Sequence, residues 1–365
     1  MYNLNNTISV EKKMIAFADQ KKCPISGVLE LLPLCNMNCA MCYVRMSREE
    51  MEHKGRLCTA EEWIELAKEM QKEGVLFVLL TGGEPLLYPD FKKVYLALRE
   101  MGMIVSVNTN GTLIDDEWVG FFSEYKPRKI NITLYGGSED TYERLCHYRG
   151  GYKKTLHAIE QLRDNNVDIK INYTVTTENC LEAEQAIQWA KERDLPITID
   201  TYMIPVKRER SKPFDMQSRL IPEDAAKARV NCWKLHMGMS EFKRNVEEMC
   251  EESKMIAEHE YKQSCGMLCH AGKSSFTVTW DGRMMPCLTL EKVQINVFEE
   301  GFAKAWKYLV EETEKIQINS KCAKCIYRPF CRTCAACAIA ETGNVSGIPE
   351  YMCQYAKESF RLMLD

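Results

Sequence analysis

The stretch Val28-Leu29-Glu30-Leu31-Leu32-Pro33-Leu34-Cys35-Asn36-Met37-Asn38-Cys39-Ala40-Met41-Cys42 runs from an apolar segment straight into three cysteines. Val28–Leu34 reads as a buried strand, and the cysteines as a loop at its C-terminal end. The same alternation recurs downstream. Thr59-x-x-Glu62 is a capping box opening a helix whose apolar face is Trp63, Leu66, Ala67 and Met70, and Gly74 stops it. Val75–Leu80 then reads as a strand. Phe91–Met101, Asp115–Tyr125, Tyr152–Asn165 and Leu181–Arg193 read as helices, interleaved with strands at Met103–Val107, Lys129–Tyr135, Asp168–Thr176 and Ile197–Met203.

Six βα units with short connections predict an α/β fold with a parallel sheet. Six are too few to close an eight-stranded barrel, so the expectation is a partial (β/α)6 TIM-like barrel. In such folds ligands lie at the C-terminal strand ends. Four polar tips fall on that face: Cys35–Cys42, Thr81–Pro85, Asn108–Gly111 and Tyr135–Gly137. After the barrel, Lys207–Pro222 reads as a charged linker and Glu223–Lys262 as a polar helical segment. From Ser264 a small cysteine-rich domain begins, with a hairpin signal in Ser275–Trp280, Asp281-Gly282 and Arg283–Cys287. The expected organisation is an N-terminal extension (1–27), the barrel (28–206), a linker and helical bridge (207–263), and a cysteine-rich iron–sulfur domain with a β-hairpin and helices (264–365).

A chain of 365 residues suits two or three domains. Hydrophobic residues at 45% and charged residues at 27% exclude a disordered or fibrous protein. No apolar run reaches the length of a transmembrane helix, and Met1–Lys22 lacks the apolar core of a signal peptide. A net charge of −4 argues against a general affinity for nucleic acid. The expectation is a soluble cytoplasmic protein, and there its 18 cysteines stand out. Cytosolic thiols are kept reduced, so clustered cysteines point to metal. Three lie within Cys35–Cys42 and six within Cys322–Cys353.

Cys35-x3-Cys39-x2-Cys42 offers three thiolates on one loop. A [4Fe–4S] cube normally takes four, so three leave one iron open to another ligand. The alternatives are a zinc site or unrelated buried thiols, but zinc favours four closed ligands and no histidine stands at ligand spacing.

With its cysteine loop after a strand, the motif resembles the signature of the radical S-adenosylmethionine (SAM) superfamily, Cys-x3-Cys-x-aromatic-Cys, with Met41 at the aromatic position. The resemblance implies that SAM chelates the open iron and is cleaved to a 5′-deoxyadenosyl radical that takes hydrogen from a substrate. The Met41 thioether would pack against adenine. Thr81-Gly82-Gly83-Glu84-Pro85 resembles the family's GGE motif, which binds the SAM amino group. Asn108-Thr109-Asn110-Gly111 resembles its Thr-Asn-Gly element, placing Asn110 near SAM. Arg149-Gly150-Gly151-Tyr152 resembles the stretch opening the next helix, where Arg149 would pair with the SAM carboxylate.

The C-terminal pattern Cys269-x12-Gly282-x4-Cys287, Cys322-x2-Cys325-x5-Cys331-x2-Cys334 and Cys353 resembles the SPASM domain. That resemblance implies two auxiliary [4Fe–4S] clusters. Cys265, Cys269, Cys287 and Cys334 would hold one, with Cys337 as the alternative to Cys334. Cys322, Cys325, Cys331 and Cys353 would hold the other. The remaining cysteines (Cys23, Cys58, Cys146, Cys180, Cys232, Cys250 and Cys337) read mostly as small core residues. Two structural zinc sites are the alternative.

The expected function is oxidative modification of a ribosomally made precursor peptide, such as a thioether or carbon–carbon crosslink. An auxiliary cluster would accept the electron left after bond formation. The resemblance also implies a flavodoxin- or ferredoxin-like electron donor. A separate peptide-recognition protein is a further possible partner, because only about 27 residues precede the first strand. No catalytic base can be named, with Tyr135 and His147 candidates by position. The alternatives are oxidation of cysteine or serine to formylglycine, oxidation of a small metabolite, and a non-catalytic zinc scaffold. In the sulfatase-maturing relatives an aspartate follows the second SPASM cysteine, whereas Leu288 follows Cys287 here.

Overall fold

The computed structural model describes residues 9–205, 218–258, 265–331 and 333–365. The expected linker at Lys207–Pro222 lies mostly outside them. Six parallel strands form the barrel wall in sequential order: β1 (Ser26–Glu30), β2 (Phe77–Thr81), β3 (Ile104–Thr109), β4 (Lys129–Thr133), β5 (Ile169–Thr174) and β6 (Ile197–Asp200). The helices Ala60–Lys72, Phe91–Glu100, Asp116–Glu124, Gly151–Asp164 and Ala183–Glu192 connect them. The first of these carries the expected capping box. Thr59 Oγ1 accepts from the Glu62 N–H at 3.2 Å, and the Glu62 carboxylate accepts from the Thr59 N–H at 2.8 Å. Trp63, Leu66, Ala67 and Met70 are buried as its periodicity predicts.

Along each strand, burial alternates. Val78, Leu80, Val105, Val107, Ile130, Ile132 and Ile171 are buried against the helices. The other face is half-buried and increasingly polar, with Thr81, Asn108, Thr133 and Thr174 lining the barrel's interior. A closed barrel fills its centre with branched apolar side chains. This one instead keeps a polar interior, as a ligand site requires. Within it, Asn131 of β4 donates to its neighbour Asn108 of β3 at 2.8 Å.

The hairpin of the cysteine-rich region does not stand apart from the barrel. β7 (Ser275–Val278) pairs in parallel with β1, and β8 (Arg283–Met285) and β9 (Ile295–Asn296) follow antiparallel. One nine-stranded sheet results, with order β6-β5-β4-β3-β2-β1-β7-β8-β9. Gly27 permits the join, since a Cβ there would lie 2.6 Å from the Phe276 ring. β1 also ends earlier than the apolar run suggests. Beyond Glu30 the chain turns into the cysteine loop at Pro33, which has no N–H to donate.

Among the described residues before the linker, three helices escaped the sequence reading: Val10–Lys21, Arg48–Lys54 and Glu139–Cys146. The second carried a legible signal in its Ser47-x-x-Glu50 capping box, and both of that box's hydrogen bonds form. The helical bridge is two helices, Pro222–Met237 and Met239–Ala257, broken at Gly238 in the left-handed region (φ 80°). The C-terminal helix Glu350–Leu364 packs against the first of them. Among the described residues, no helix is long and apolar enough to cross a membrane.

Candidate active site

A cavity of about 600 Å³ lies at the C-terminal ends of the strands. Every barrel strand contributes a polar residue to it: Glu30, Thr81, Asn108, Thr133, Thr174 and Asp200. The cysteine loop forms one wall, with Cys35, Cys39, Met41 and Cys42. Leu288 and Thr289, just after Cys287, and Tyr355 of the C-terminal helix close it from the other side.

The cysteine loop is tied down by its backbone. Asn38 and Ala40 donate to the carbonyls of Cys146 and Leu145 at 3.0 and 2.9 Å. Two backbone N–H groups point at the sulfurs themselves, Met37 at Cys35 (3.4 Å) and Arg45 at Cys42 (3.3 Å). Burial and the Glu84 carboxylate push the Cys35 thiol up to about 12. A hydrogen bond with Cys146 and burial hold Cys39 well above its ordinary value. These groups stay thiols unless a cation draws off their protons, which coordinated iron does outright. Three thiols on one wall, with N–H donors directed at two sulfurs, are a donor set that fits an iron–sulfur cluster.

Gly82 and Gly83 line the cavity, but what demands glycine lies behind them. A Cβ on Gly82 would meet the Leu32 carbonyl oxygen at 2.6 Å, and one on Gly83 the Leu34 oxygen at 2.3 Å. The Gly83 and Glu84 N–H groups donate to Leu32 and Leu34 at 2.7 and 2.9 Å. The Gly-Gly pair therefore clamps the cysteine loop, besides leaving backbone open to a ligand. The Glu84 side chain is fully buried and is not among the residues that line the cavity, accepting from Thr109 Oγ1 (2.7 Å), the Asn110 N–H (2.8 Å) and the Leu86 N–H (3.2 Å). Three local donors satisfy the carboxylate, which pins the third loop to the second.

Asn110 completes the lattice. It lines the cavity, and its side chain donates to Asn36 Oδ1 at 2.9 Å while accepting from the Thr112 hydroxyl at 2.6 Å. Asn36 lies between two of the cysteines, so the cysteine, glycine and asparagine loops form one hydrogen-bonded unit. Pro85 is buried as the first residue of a short 3-10 turn, and Arg149 is exposed and outside the cavity. Of the base candidates, Tyr135 lines the cavity, and burial beside Cys39 and Cys146 pushes its phenol well up. His147 is an exposed helix C-cap in the left-handed region.

Burial pushes the Glu84 carboxyl up from 4.5 to about 7 despite its three donors. A carboxyl raised in the folded state takes up a proton on folding. Its contribution is fully present below about pH 4.5 and is lost as pH rises through 7. Urea unfolding of wild type and Glu84→Gln across this window checks it. The variant's slope should flatten between these values. It should also be less stable by about 1–3 kcal/mol at acid pH, because the amide nitrogen cannot accept from the backbone N–H of Asn110.

The C-terminal cysteines fall into two groups. Cys269, Cys287 and Cys334 line a second cavity of about 140 Å³, and Gly266, next to Cys265, lines it too. Burial pushes the Cys353 thiol up, with Cys331, Cys322 and Cys325 adding to the effect as neighbours. Cys337 is fully buried and faces elsewhere, 2.7 Å from the Tyr202 hydroxyl. Of the cysteines left over, Cys58, Cys146, Cys232 and Cys337 are buried, Cys180 and Cys250 are half-buried, and Cys23 is exposed.

Sequence reasoning missed Glu30, Asp200, Tyr202, Arg229 and Tyr355. A signal existed for the two carboxylates, since each ends a strand in an otherwise apolar or β-branched run, on the face where ligands bind. Tyr202 and Arg229 carried none.

Residues 29–190 match the radical SAM superfamily, and residues 269–338 match SPASM, an iron–sulfur cluster-binding domain. The chain thus carries a radical SAM domain followed by a SPASM domain, and it is an enzyme that depends on iron–sulfur chemistry and SAM. It is 26% identical over 334 residues to the AdoMet-dependent heme synthase of Methanosarcina barkeri, covering 86% of this chain and 92% of that one. It is 22% identical over 346 residues to the subtilosin biosynthesis protein AlbA of Bacillus subtilis, covering 92% and 71% respectively. In fold it resembles anSMEcpe with bound AdoMet (TM-score 0.69, 21% identity, 93% of each chain). It also resembles Streptococcus suis SuiB bound to precursor peptide SuiA (TM-score 0.68, 16% identity, 97% and 84% of the chains).

Proposed function

We propose that this enzyme oxidatively modifies a residue of a ribosomally made peptide, forming a crosslink such as a thioether or a carbon–carbon bond. The observation that carries the reading is the extent of the space. A second cavity of about 710 Å³ lies beside β6, and Ile199, Asp200, Arg229 and Trp233 line both. Each is as large as an ordinary small-molecule pocket, and together they offer more room than one such ligand takes, room that an extended chain would use. Relatives in peptide maturation, AlbA among them, support the same reading.

Cys35, Cys39 and Cys42 would hold the SAM-binding cluster, with Met41, Gly82, Gly83 and Asn110 lining the SAM site. Cys265, Cys269, Cys287 and Cys334 would hold one auxiliary cluster. Cys322, Cys325, Cys331 and Cys353 would hold the other. When bound, these groups supply the hydrogen-abstracting radical and an acceptor for the electron left behind. Glu84 and Asn110 hold the loops in register, and Tyr355 and Leu288 keep water from the reacting face. A flavodoxin- or ferredoxin-like protein would deliver the reducing electron. Leu288, on the cavity wall, offers no proton acceptor, which disfavours formylglycine formation. A second reading, oxidation of a small metabolite, is favoured by the alignment with the heme synthase along most of both chains.

The test is anaerobic reconstitution with SAM, a reductant and synthetic peptides encoded beside the gene. A peptide mass decrease equal to the hydrogens removed, with release of 5′-deoxyadenosine, is expected. SAM cleavage stimulated by carboxylated metabolites but by no peptide would reverse the ranking. The auxiliary ligands have their own test. Cys334→Ala should lower iron by about four per chain, and Cys337→Ala should leave it unchanged.

A further inference from the structure

β8 ends at Met285, and Pro286 leads into a tight turn, Cys287-Leu288-Thr289-Leu290. The Leu290 N–H closes it by donating to the Cys287 carbonyl at 3.2 Å. Pro286 and Leu290 are buried and anchor the turn on either side. This turn is a partition between two spaces. Leu288 and Thr289 line the strand-end cavity. Cys287 and Leu290 line the cavity of about 140 Å³ that Cys269 and Cys334 also line.

One side-chain contact crosses the partition. The Thr289 hydroxyl lies 3.4 Å from the Cys287 sulfur. A thiol that coordinates iron has lost its proton, so with the group bound the hydroxyl is the donor and the sulfur the acceptor. A donor on a ligand sulfur stabilises the extra negative charge of the reduced group more than the charge of the oxidised one. It therefore raises the potential. The fold repeats the device at the other set of thiols. There the Thr333 hydroxyl lies 3.1 Å from the Cys331 sulfur, and the Thr333 N–H donates to that sulfur at 3.4 Å. Thr333 is not among the residues that line the strand-end cavity, whereas Thr289 is. Another route from that cavity is longer. Tyr202 touches the Cys337 thiol at 2.7 Å, and the Cys337 N–H donates to the Cys334 sulfur at 3.5 Å. That N–H stays whatever side chain stands at Tyr202, so the side chain that acts on a ligand sulfur directly is Thr289.

We infer that Thr289 is a positioning residue for the oxidation. Its hydroxyl holds the auxiliary group at Cys287 at a potential that lets it take the electron that bond formation leaves in the cavity. This rests on the peptide-modifying reading above. In that step the crosslinked peptide radical gives up one electron and is oxidised. The [4Fe–4S] group at Cys287 takes the electron and is reduced by one, and the accompanying proton passes to bulk solvent. Thr289 acts through the Cys287 sulfur and ends the step unchanged.

The experiment is an anaerobic redox titration of the full-length reconstituted protein, followed by electron paramagnetic resonance, with no peptide present. Thr289→Val removes the hydroxyl and keeps the shape. It should lower one auxiliary potential by about 59 mV, a tenfold change in a one-electron equilibrium, and Thr289→Ser should restore it. Thr333→Val should lower the other auxiliary potential instead. Iron content should stay at the wild-type value in each variant, and Thr289→Ala gives the same reading if the valine protein loses iron. In turnover with the peptide encoded beside the gene, Thr289→Val should cleave SAM at the wild-type rate while the crosslink formed per deoxyadenosine falls several-fold. An unchanged potential in Thr289→Val, or the same potential moved by Thr289→Val and Thr333→Val, overturns the assignment. A wild-type enzyme that modifies no peptide sinks the peptide reading instead, because the potentials are read without peptide and decide the role of Thr289 on their own.

Discussion

Replacing Cys35, Cys39 and Cys42 together by alanine should remove about four irons per chain and reduce SAM cleavage to background. The three thiols share one wall of the cavity, and no other described cysteine lines it. Their loop is held by backbone bonds to Leu145 and Cys146, independent of any sulfur, so the barrel should still fold. Iron and sulfide assay, deoxyadenosine quantitation and circular dichroism together make the check. Iron unchanged from wild type would remove these cysteines from the site. Loss of iron with the far-ultraviolet spectrum preserved would assign the loop its role.

Gly83→Ala should have the next largest effect, for a reason of packing rather than ligand contact. The new Cβ would sit 2.3 Å from the Leu34 carbonyl oxygen, 2.6 Å from its carbon and 2.8 Å from the Pro33 oxygen. All three are backbone atoms, and none can swing aside as a side-chain tip would. The cost should reach the upper end of overpacking, about 3 kcal/mol. It should also break the Gly83–Leu32 and Glu84–Leu34 hydrogen bonds and so displace the cysteine loop. Chemical unfolding measures the first effect, and cluster retention and SAM affinity the second. Gly120→Ala serves as the contrast. It lies in a helix with nothing within 4 Å of the added Cβ, and should stabilise by about 0.5–1 kcal/mol. A Gly83→Ala protein as stable as wild type would mean the two loops are not locked in this way.

These outcomes separate two kinds of information. The alternation of apolar runs and amphipathic stretches was enough to define the six barrel strands and five of the helices between them. The capping box at Thr59 marked a helix start, and the one at Ser47 was equally legible though unread, because a cap is a contact three residues long. The cysteine spacing likewise identified groups of soft donors within single loops. The sequence pattern also put the polar tips on one face, since strand direction fixes where each tip falls.

The tertiary structure decided what depends on a distant partner. Periodicity states how much apolar surface a segment must cover and is silent about which surface covers it. Hence β7 was legible as a strand but not as the neighbour of β1, and Gly27 gave no hint that Phe276 would lie over it. Glu84 was legible as a carboxylate beside two glycines, but only the fold turned it inward onto Thr109 and Asn110, some 25 residues away. The separation of Cys334 from Cys337 was of the same kind. Three residues apart at a helix start, they diverge because one faces Cys269 and Cys287 and the other is held by Tyr202, 135 residues earlier. By itself, then, the sequence determined the barrel class, the thiol groups and the face on which they act. The long-range packing determined which side chains reach the cavity, because burial and hydrogen-bond partners at that range exist only once the chain has folded.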